Sequence, residues 1–206
     1  MQNTKISLKG ISKIVWHNIV VIVIATLLFG LIGGFYAKHK QHTDYISTRN
    51  LMTDRSYRGV AANEEVLSDI NMGKTYAKII ESKNVARAAH RNLPKNLQKK
   101  YSTKKIGSIV KASPVDQTTM VRVSVKADTA KASSTIVNAV TYAAAKQIPK
   151  KVPSAKKISL FAKETASDAQ SITAPSVKKF ALMGAAVGFL LGMVIAFSIT
   201  TWTKLV

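Results

Sequence analysis

The side chains that could do chemistry in this 206-residue chain are few and scattered. Four histidines are present: His17, His39, His42 and His90. His39 and His42 are spaced so that they could share a metal, but neither a third histidine nor a carboxylate cluster accompanies them, which falls short of a transition-metal ligand set. The ten acidic residues are dispersed, and no phosphate-cradling glycine loop, nucleophile elbow or kinase signature occurs. Cysteine is absent, which removes disulfides, thiolate ligands and thiol catalysis. The residue types therefore point away from an enzyme, a cofactor or a metal. They fit a protein that organises the chemistry of something else.

The spacing that does recur belongs to glycine. Gly184, Gly188 and Gly192 fall every fourth residue on one helical face, and Gly30 and Gly34 share that spacing. Without a Cβ, such a face lets another helix come close enough for dispersion contacts to drive packing or oligomerisation. Glycine is also simply common in membrane helices, and the spacing does not say whether the partner is the other helix, another subunit or another protein.

These glycines lie in two apolar blocks, residues 14–37 and 180–199, which contain no Asp, Glu, Lys or Arg. Each is long enough to cross a hydrocarbon core of ~30 Å, which takes ~20 helical residues. Backbone polar groups cannot stay unpaired in lipid, so each block is expected to be a helix. Lys5, Lys9 and Lys13 precede the first block as they would in a signal peptide. The block nevertheless exceeds the ~7–15 residues of a signal core, and Phe35-Tyr36-Ala37 offers no small residue three before a cut, so an uncleaved anchor is expected. The resulting plan is an N-terminal segment 1–13, a transmembrane helix 14–37, a basic domain 38–179, a second transmembrane helix 180–199 and a tail 200–206.

Charge is the other large feature. The chain carries 31 Lys and Arg against 10 Asp and Glu, a net charge of +21. All but Lys5, Lys9, Lys13 and Lys204 of the basic residues lie between the two blocks, together with every acidic one. Such a domain draws anions: nucleic acid, lipid headgroups, or acidic polysaccharide and teichoic acid. A lysine-rich face can equally be just solvated. Nucleic acid is the poorest fit, because the few aromatic residues form no stacking platform and no recognition helix is evident. Two crossings put both termini on one side. Charge leaves that side open, since the positive-inside bias is weak for segments longer than ~60 residues.

Within 38–179, residues 45–52 read as a strand and 63–92 as helix. Asn63 is the expected cap, with Glu64 and Glu65 in the first turn and Gly73 a possible break. Short helices are expected over 95–101 and 103–110. Val121, Val123 and Val125 alternate with Arg122, Ser124 and Lys126, the period of a half-buried strand over 119–126. Residues 111–115 pair with it through a turn at 116–118. Asp128 is the expected cap of a helix over 129–147 with its apolar stripe at Ile136, Val140, Ala143 and Ala144, stopped by Pro149 and Pro153. A last strand follows over 157–163. The order predicts a small α+β domain with helices on one face of a sheet.

Four pieces of this sequence together resemble the Wzz-type chain-length determinant family, specifically the short form of Gram-positive capsule and exopolysaccharide clusters. The first is the layout of anchor, external domain and anchor. The second is the run from Asp69 to Val85, with Tyr76, Ile80, Ser82 and Val85. The third is the strand from Met120 to Ala127, followed by Asp128 and by Ile136, Val137, Asn138 and Ala139. The fourth is the entry into the last helix, with Pro175, Lys178 and Lys179 leading to Gly184, Gly188 and Gly192. The proline-rich approach to that helix is thinner than in the family, with Pro175 nearly alone. The long helices of Gram-negative relatives are absent, and with only residues 200–206 after the second helix no fused kinase domain is expected.

The resemblance implies a cell-membrane protein with both termini cytoplasmic, an external domain and a homo-oligomeric assembly. It implies a polysaccharide co-polymerase that acts beside polymerase and flippase machinery on an anionic or lipid-linked glycan. It also implies a cytoplasmic tyrosine autokinase partner, met by the tail Thr200, Thr201, Trp202, Thr203, Lys204, Leu205 and Val206. Trp202 has another available role as an interfacial anchor. The alternative reading is a membrane-anchored surface adaptor whose basic domain binds anionic wall polymers.

Overall fold

The computed structural model describes residues 16–54, 62–155 and 157–205. The segment 1–13 and Val206 of the expected tail lie outside the described residues. In chain order the elements are α1 (Ile19–Lys40), β1 (His42–Asp54), α2 (Ala62–Ile80), α3 (Lys83–Arg91), α4 (Lys95–Lys100) and α5 (Thr103–Ile109). They continue with β2 (Val110–Pro114), β3 (Met120–Ala127), α6 (Ala130–Lys151), β4 (Lys157–Leu160), β5 (Gln170–Ala174) and α7 (Val177–Leu205). Two compact units result: residues up to His42 with those from Thr173 onward, and residues Thr43–Ile172.

The first unit is the pair α1 and α7. Both are long and apolar enough to cross a membrane, over Ile19–Lys40 and Val177–Trp202. Length and composition alone would also suit the core helix of a soluble protein, but such a helix is mostly buried. Here only 6% and 17% of the most apolar stretches are buried, and Leu28, Leu31, Ile32, Phe35, Leu182 and Val187 face outward. An apolar surface of that extent matches lipid as its surroundings. Helix α7 is longer than the apolar block 180–199. It begins with Lys178 and Lys179 in its first turn, and the Thr200 and Thr201 hydroxyls donate back to the Ala196 and Phe197 carbonyls at 2.9 and 2.8 Å.

The second unit is the α+β domain expected from the sequence. Its sheet runs β2-β3-β1-β4, antiparallel at each pairing along that path, and β5 pairs with β1 off it. Val121, Val123 and Val125 are fully buried while Arg122 and Lys126 are exposed, so β3 alternates as its sequence does. Ile136, Val137, Val140 and Ile148 of α6 and Tyr76 and Ile80 of α2 share a core with the valine face, and Val85 and Ala89 of α3 extend that core against α6. Fully burying each of these large side chains contributes ~1.5–3 kcal/mol.

Several boundaries differ from the sequence reading for local reasons. The helix over 63–92 breaks at Glu81-Ser82 rather than at Gly73. Ser82 caps α3 by accepting from the Val85 N–H at 3.4 Å, whereas Gly73 stays helical where a Cβ would stand 2.9 Å from the Pro114 Cβ. Helix α6 is capped by Thr129, which accepts from the Ala132 N–H at 3.2 Å, and not by Asp128. Pro149 lies inside α6 instead of ending it. In the last turn a proline forfeits one backbone hydrogen bond, and the Val152 N–H closes the helix on the Ile148 carbonyl. Strand β4 stops at Leu160, and β5 has no counterpart in the sequence reading because its exposed residues show no alternation.

Asp128 instead joins the α4 end to the start of α6. Its carboxylate lies 2.8 Å from the Lys100 ammonium, and its backbone N–H donates to the buried Tyr101 hydroxyl at 3.3 Å. The Lys100 hydrogen bond holds the Asp128 carboxyl below its ordinary range, so the pairing stabilises the fold above about pH 4 and fades as pH falls through the lowered value. Asp128→Asn should lower the melting temperature of the full chain in detergent by a few degrees at pH 7. The gap to the parent protein, followed by circular dichroism, should narrow below about pH 4.

Candidate functional site

Helices α1 and α7 run antiparallel, and their contacts step along both chains. A Cβ on Gly192 would lie 2.9 Å from the Ile22 Cα, and one on Gly188 would lie 2.5 Å from the Ala25 carbonyl oxygen. One on Gly184 would collide with the Phe29 carbonyl oxygen, and one on Gly33 would lie 2.5 Å from that of Phe180. The glycine face of α7 thus meets the backbone of α1 in the same chain. On α1 the close approach falls at Gly33. Gly30 and Gly34, the pair singled out by spacing, stand at ordinary contact distance, 3.5 Å from Ala185 and 3.6 Å from Ala181. The adjacent Gly33-Gly34 pair was the available signal, missed because a four-residue spacing was the template.

Polar and aromatic contacts mark both ends of this pair. At one end the Asn18 amide donates to the Thr200 hydroxyl at 2.8 Å, and Asn18 is buried. At the other, the Tyr36 and Phe180 rings lie 6.3 Å apart, and the Gln41 amide donates to the Pro175 carbonyl at 3.5 Å. Lys178 and Lys179 are exposed. Of the tail, Thr200 to Leu205 continue α7 as helix, and Trp202 is 75% exposed.

In the α+β domain the polar groups concentrate on β1. Its inward positions are Ser47, Arg49, Leu51 and Thr53, so three of four are polar. The Ser47 hydroxyl lies 2.8 Å from that of Ser133, both fully buried. Arg49, 6% exposed, donates from Nε to the carbonyls of Phe161 and Ala162 at 2.9 and 3.0 Å. Its Nη2 donates to the Phe161 carbonyl at 2.6 Å and its Nη1 to the Thr141 hydroxyl at 3.2 Å. Burial pulls its pKa down from the ordinary arginine value, and nearby Glu164 opposes that. Asn138 holds the same segment: its amide donates to the Glu164 carbonyl at 2.8 Å and accepts from the Glu164 N–H at 3.1 Å. The Glu164 carboxyl is itself pushed up by burial, and Asp168 adds to the rise.

A cleft of about 520 Å³ opens beside these groups, bounded by Arg49, Asn92, Thr135, Asn138, Tyr142 and Lys163. Nothing in the sequence reading chose Arg49. It sits in a strand whose two faces have similar polarity, so periodicity could not tell inside from outside. In the motif from Asp69 to Val85, the Tyr76 hydroxyl donates to the Asp69 carboxylate at 3.4 Å and both side chains are buried, a structural role. The histidines are spread. His39 lies in the last turn of α1, the His42 Nδ1 lies 3.3 Å from the Lys40 carbonyl, and the His90 Nε2 lies 3.1 Å from the Gln98 carbonyl. Among the described residues, no three His, Asp or Glu side chains gather as a metal set.

The family model for the chain length determinant protein, Wzz, matches residues 4–93, a stretch that runs through α1, β1, α2 and α3. The chain is also 25% identical over 202 residues to the capsular polysaccharide type 8 biosynthesis protein cap8A of Staphylococcus aureus. It is equally similar to the type 5 biosynthesis protein cap5A of Staphylococcus aureus strain Newman. Each alignment spans 95% of this chain and 84% of the relative. These matches bear out the resemblance read from the sequence.

The helix pair generates a graded test. Gly184→Ala drives a methyl into a backbone carbonyl, and overpacking of that kind costs about 1–3 kcal/mol. It should lower the thermal aggregation midpoint of the detergent-solubilised chain, whereas Gly34→Ala, which meets only ordinary contact, should leave it unchanged.

Proposed function

We propose that the chain acts as a chain length determinant of the Wzz type and sets the length of a capsular or exopolysaccharide without catalysing a reaction itself. The observation that carries this reading is the family match over residues 4–93. The architecture supports it, because two apolar helices bracket a single basic α+β domain. In this reading α1 and α7 cross the cell membrane, both termini are cytoplasmic and the domain lies outside. There a net charge of +21, carried mainly by the domain, concentrates an anionic glycan or its lipid-linked carrier.

The assembly is homo-oligomeric and works beside the polymerase and flippase. Because the glycines of α7 are occupied by α1 of the same chain, subunits meet through other surfaces. The cytoplasmic end of α7 modulates a tyrosine autokinase. Trp202, exposed at the end of that helix, is the side chain best presented to such a partner. Its indole would otherwise rest at the membrane interface.

Two measurements in the native host test the two parts. Deleting the gene should shift the size distribution of surface polysaccharide on gel filtration, or abolish the polymer, and complementation should restore it. An unchanged distribution would contradict the chain-length role and favour the wall-polymer adaptor. Trp202→Ala should reduce phosphotyrosine on the partner kinase at equal protein level. Unchanged phosphorylation would leave Trp202 an anchor only.

A further inference from the structure

Arg49 is a buried cation whose hydrogen-bond partners are all neutral. Its acceptors are the Phe161 and Ala162 carbonyls and the Thr141 hydroxyl, and among the described residues no carboxylate forms an ion pair with it. A guanidinium has five N–H donors. These contacts use the one on Nε and one on each terminal nitrogen, which leaves a donor on each terminal nitrogen without a partner among the described residues. The Glu164 carboxylate acts on it electrostatically without an ion pair or hydrogen bond between them, and a buried charge so loosely balanced is costly, so proteins normally pair it closely or keep it for a ligand. Holding the 161–165 segment against α6 does not require a cation there, because Asn138 already grips that segment with two neutral hydrogen bonds to Glu164.

The surroundings have the make-up of a small ligand site. The cleft volume of about 520 Å³ lies within the ~300–1,000 Å³ range of small-molecule sites. Lys163 adds a second, exposed cation at the wall, and Asn92 and Thr135 supply further polar groups. Tyr142 contributes a half-exposed aromatic ring, with the Lys146 ammonium 4.4 Å from its centre. A buried arginine, a flanking lysine, side-chain amides and an aromatic wall together suit a ring that carries hydroxyls and one anionic group.

We propose that this cleft is a subsite for one anionic sugar unit, whose carboxylate or phosphate meets Arg49 and Lys163 while its ring lies against Tyr142. This rests on the reading of the domain as a glycan-contacting one and narrows it from a diffuse basic surface to a single place. Arginine suits the role because its planar fork recognises carboxylate and phosphate bidentately.

The test uses the full chain in detergent at fixed salt, titrated calorimetrically with trigalacturonate, glucose 1-phosphate and maltotriose. One of the two anionic ligands should bind and maltotriose should not, the tighter anion identifying the charged group. Lys163→Gln and Tyr142→Ala, both at exposed positions, should each weaken that binding by about tenfold, the loss expected for one charge-assisted hydrogen bond or one ring contact. Lys99→Gln on α4 should change it less than about twofold if the site is local. Arg49→Lys keeps the charge but loses the fork, and should weaken binding while the melting temperature reports whether the domain still folds. The proposal is overturned if neither anion binds, if maltotriose binds equally, or if Lys99→Gln weakens binding as much as Lys163→Gln. Host cells complemented with Tyr142→Ala separate the two levels. Native polymer length from a variant that no longer binds acidic sugar removes the subsite and leaves the chain-length role intact. Gene deletion without effect removes the chain-length role, whatever binds in the calorimeter.

Discussion

The close approach of two backbones, at Gly184 and Gly188 on α7 and at Gly33 on α1, is the contact on which the rest of the molecule depends. Between helices in lipid there is no hydrophobic driving force, because the tails are as apolar as leucine. What remains is dispersion at short range and the occasional hydrogen bond, and both demand small residues where the axes are nearest. Asn18 and Thr200 supply the hydrogen bond near one end of the pair. The domain is inserted between these helices, since only Gln41 separates α1 from β1 and only Pro175 and Ser176 separate β5 from α7. Where the helix pair ends, the Gln41 amide and the Pro175 carbonyl meet at 3.5 Å, so the pairing brings together the two points at which the chain leaves and re-enters the helices.

The domain has a different economy. Its valine-and-alanine core is ordinary, yet the central strand β1 turns Ser47, Arg49 and Thr53 toward that core. Such groups need partners, and most have them in Ser133, Thr141 and the 161–162 carbonyls. The Thr53 hydroxyl and the Asn50 amide oxygen have none among the described residues. A strand with a polar inner face stabilises less than an apolar one would, which makes β1 the element where stability has been given up, and the one beside the cleft.

Strong periodicities were legible in the sequence. The apolar blocks gave both helices of the first unit, the valine alternation gave β3, and the alanine-rich stripe gave α6, because in each the buried face is written in residue type. The family resemblance was legible in the same elements. What escaped was decided by geometry that residue types leave open. Ser82 rather than Gly73 divides α2 from α3 because a serine cap satisfies an otherwise orphaned N–H, while a glycine in mid-helix need not break it. Strand β5 has neither alternation nor burial, and only its partner β1 makes it a strand. Arg49 escaped the sequence reading because what sets it apart is the absence of a hydrogen-bonded carboxylate among the described residues, and no local pattern records an absence.

The proposed function requires the basic domain to lie outside the cell and both ends of the chain inside. The chain contains no cysteine, so single cysteines can be introduced into a silent background. Intact cells carrying Lys163→Cys or Trp202→Cys would be treated with a membrane-impermeant maleimide. The account predicts labelling at position 163 in intact cells, and at position 202 only after permeabilisation. Labelling of position 202 in intact cells, with 163 shielded until the membrane is opened, would contradict it.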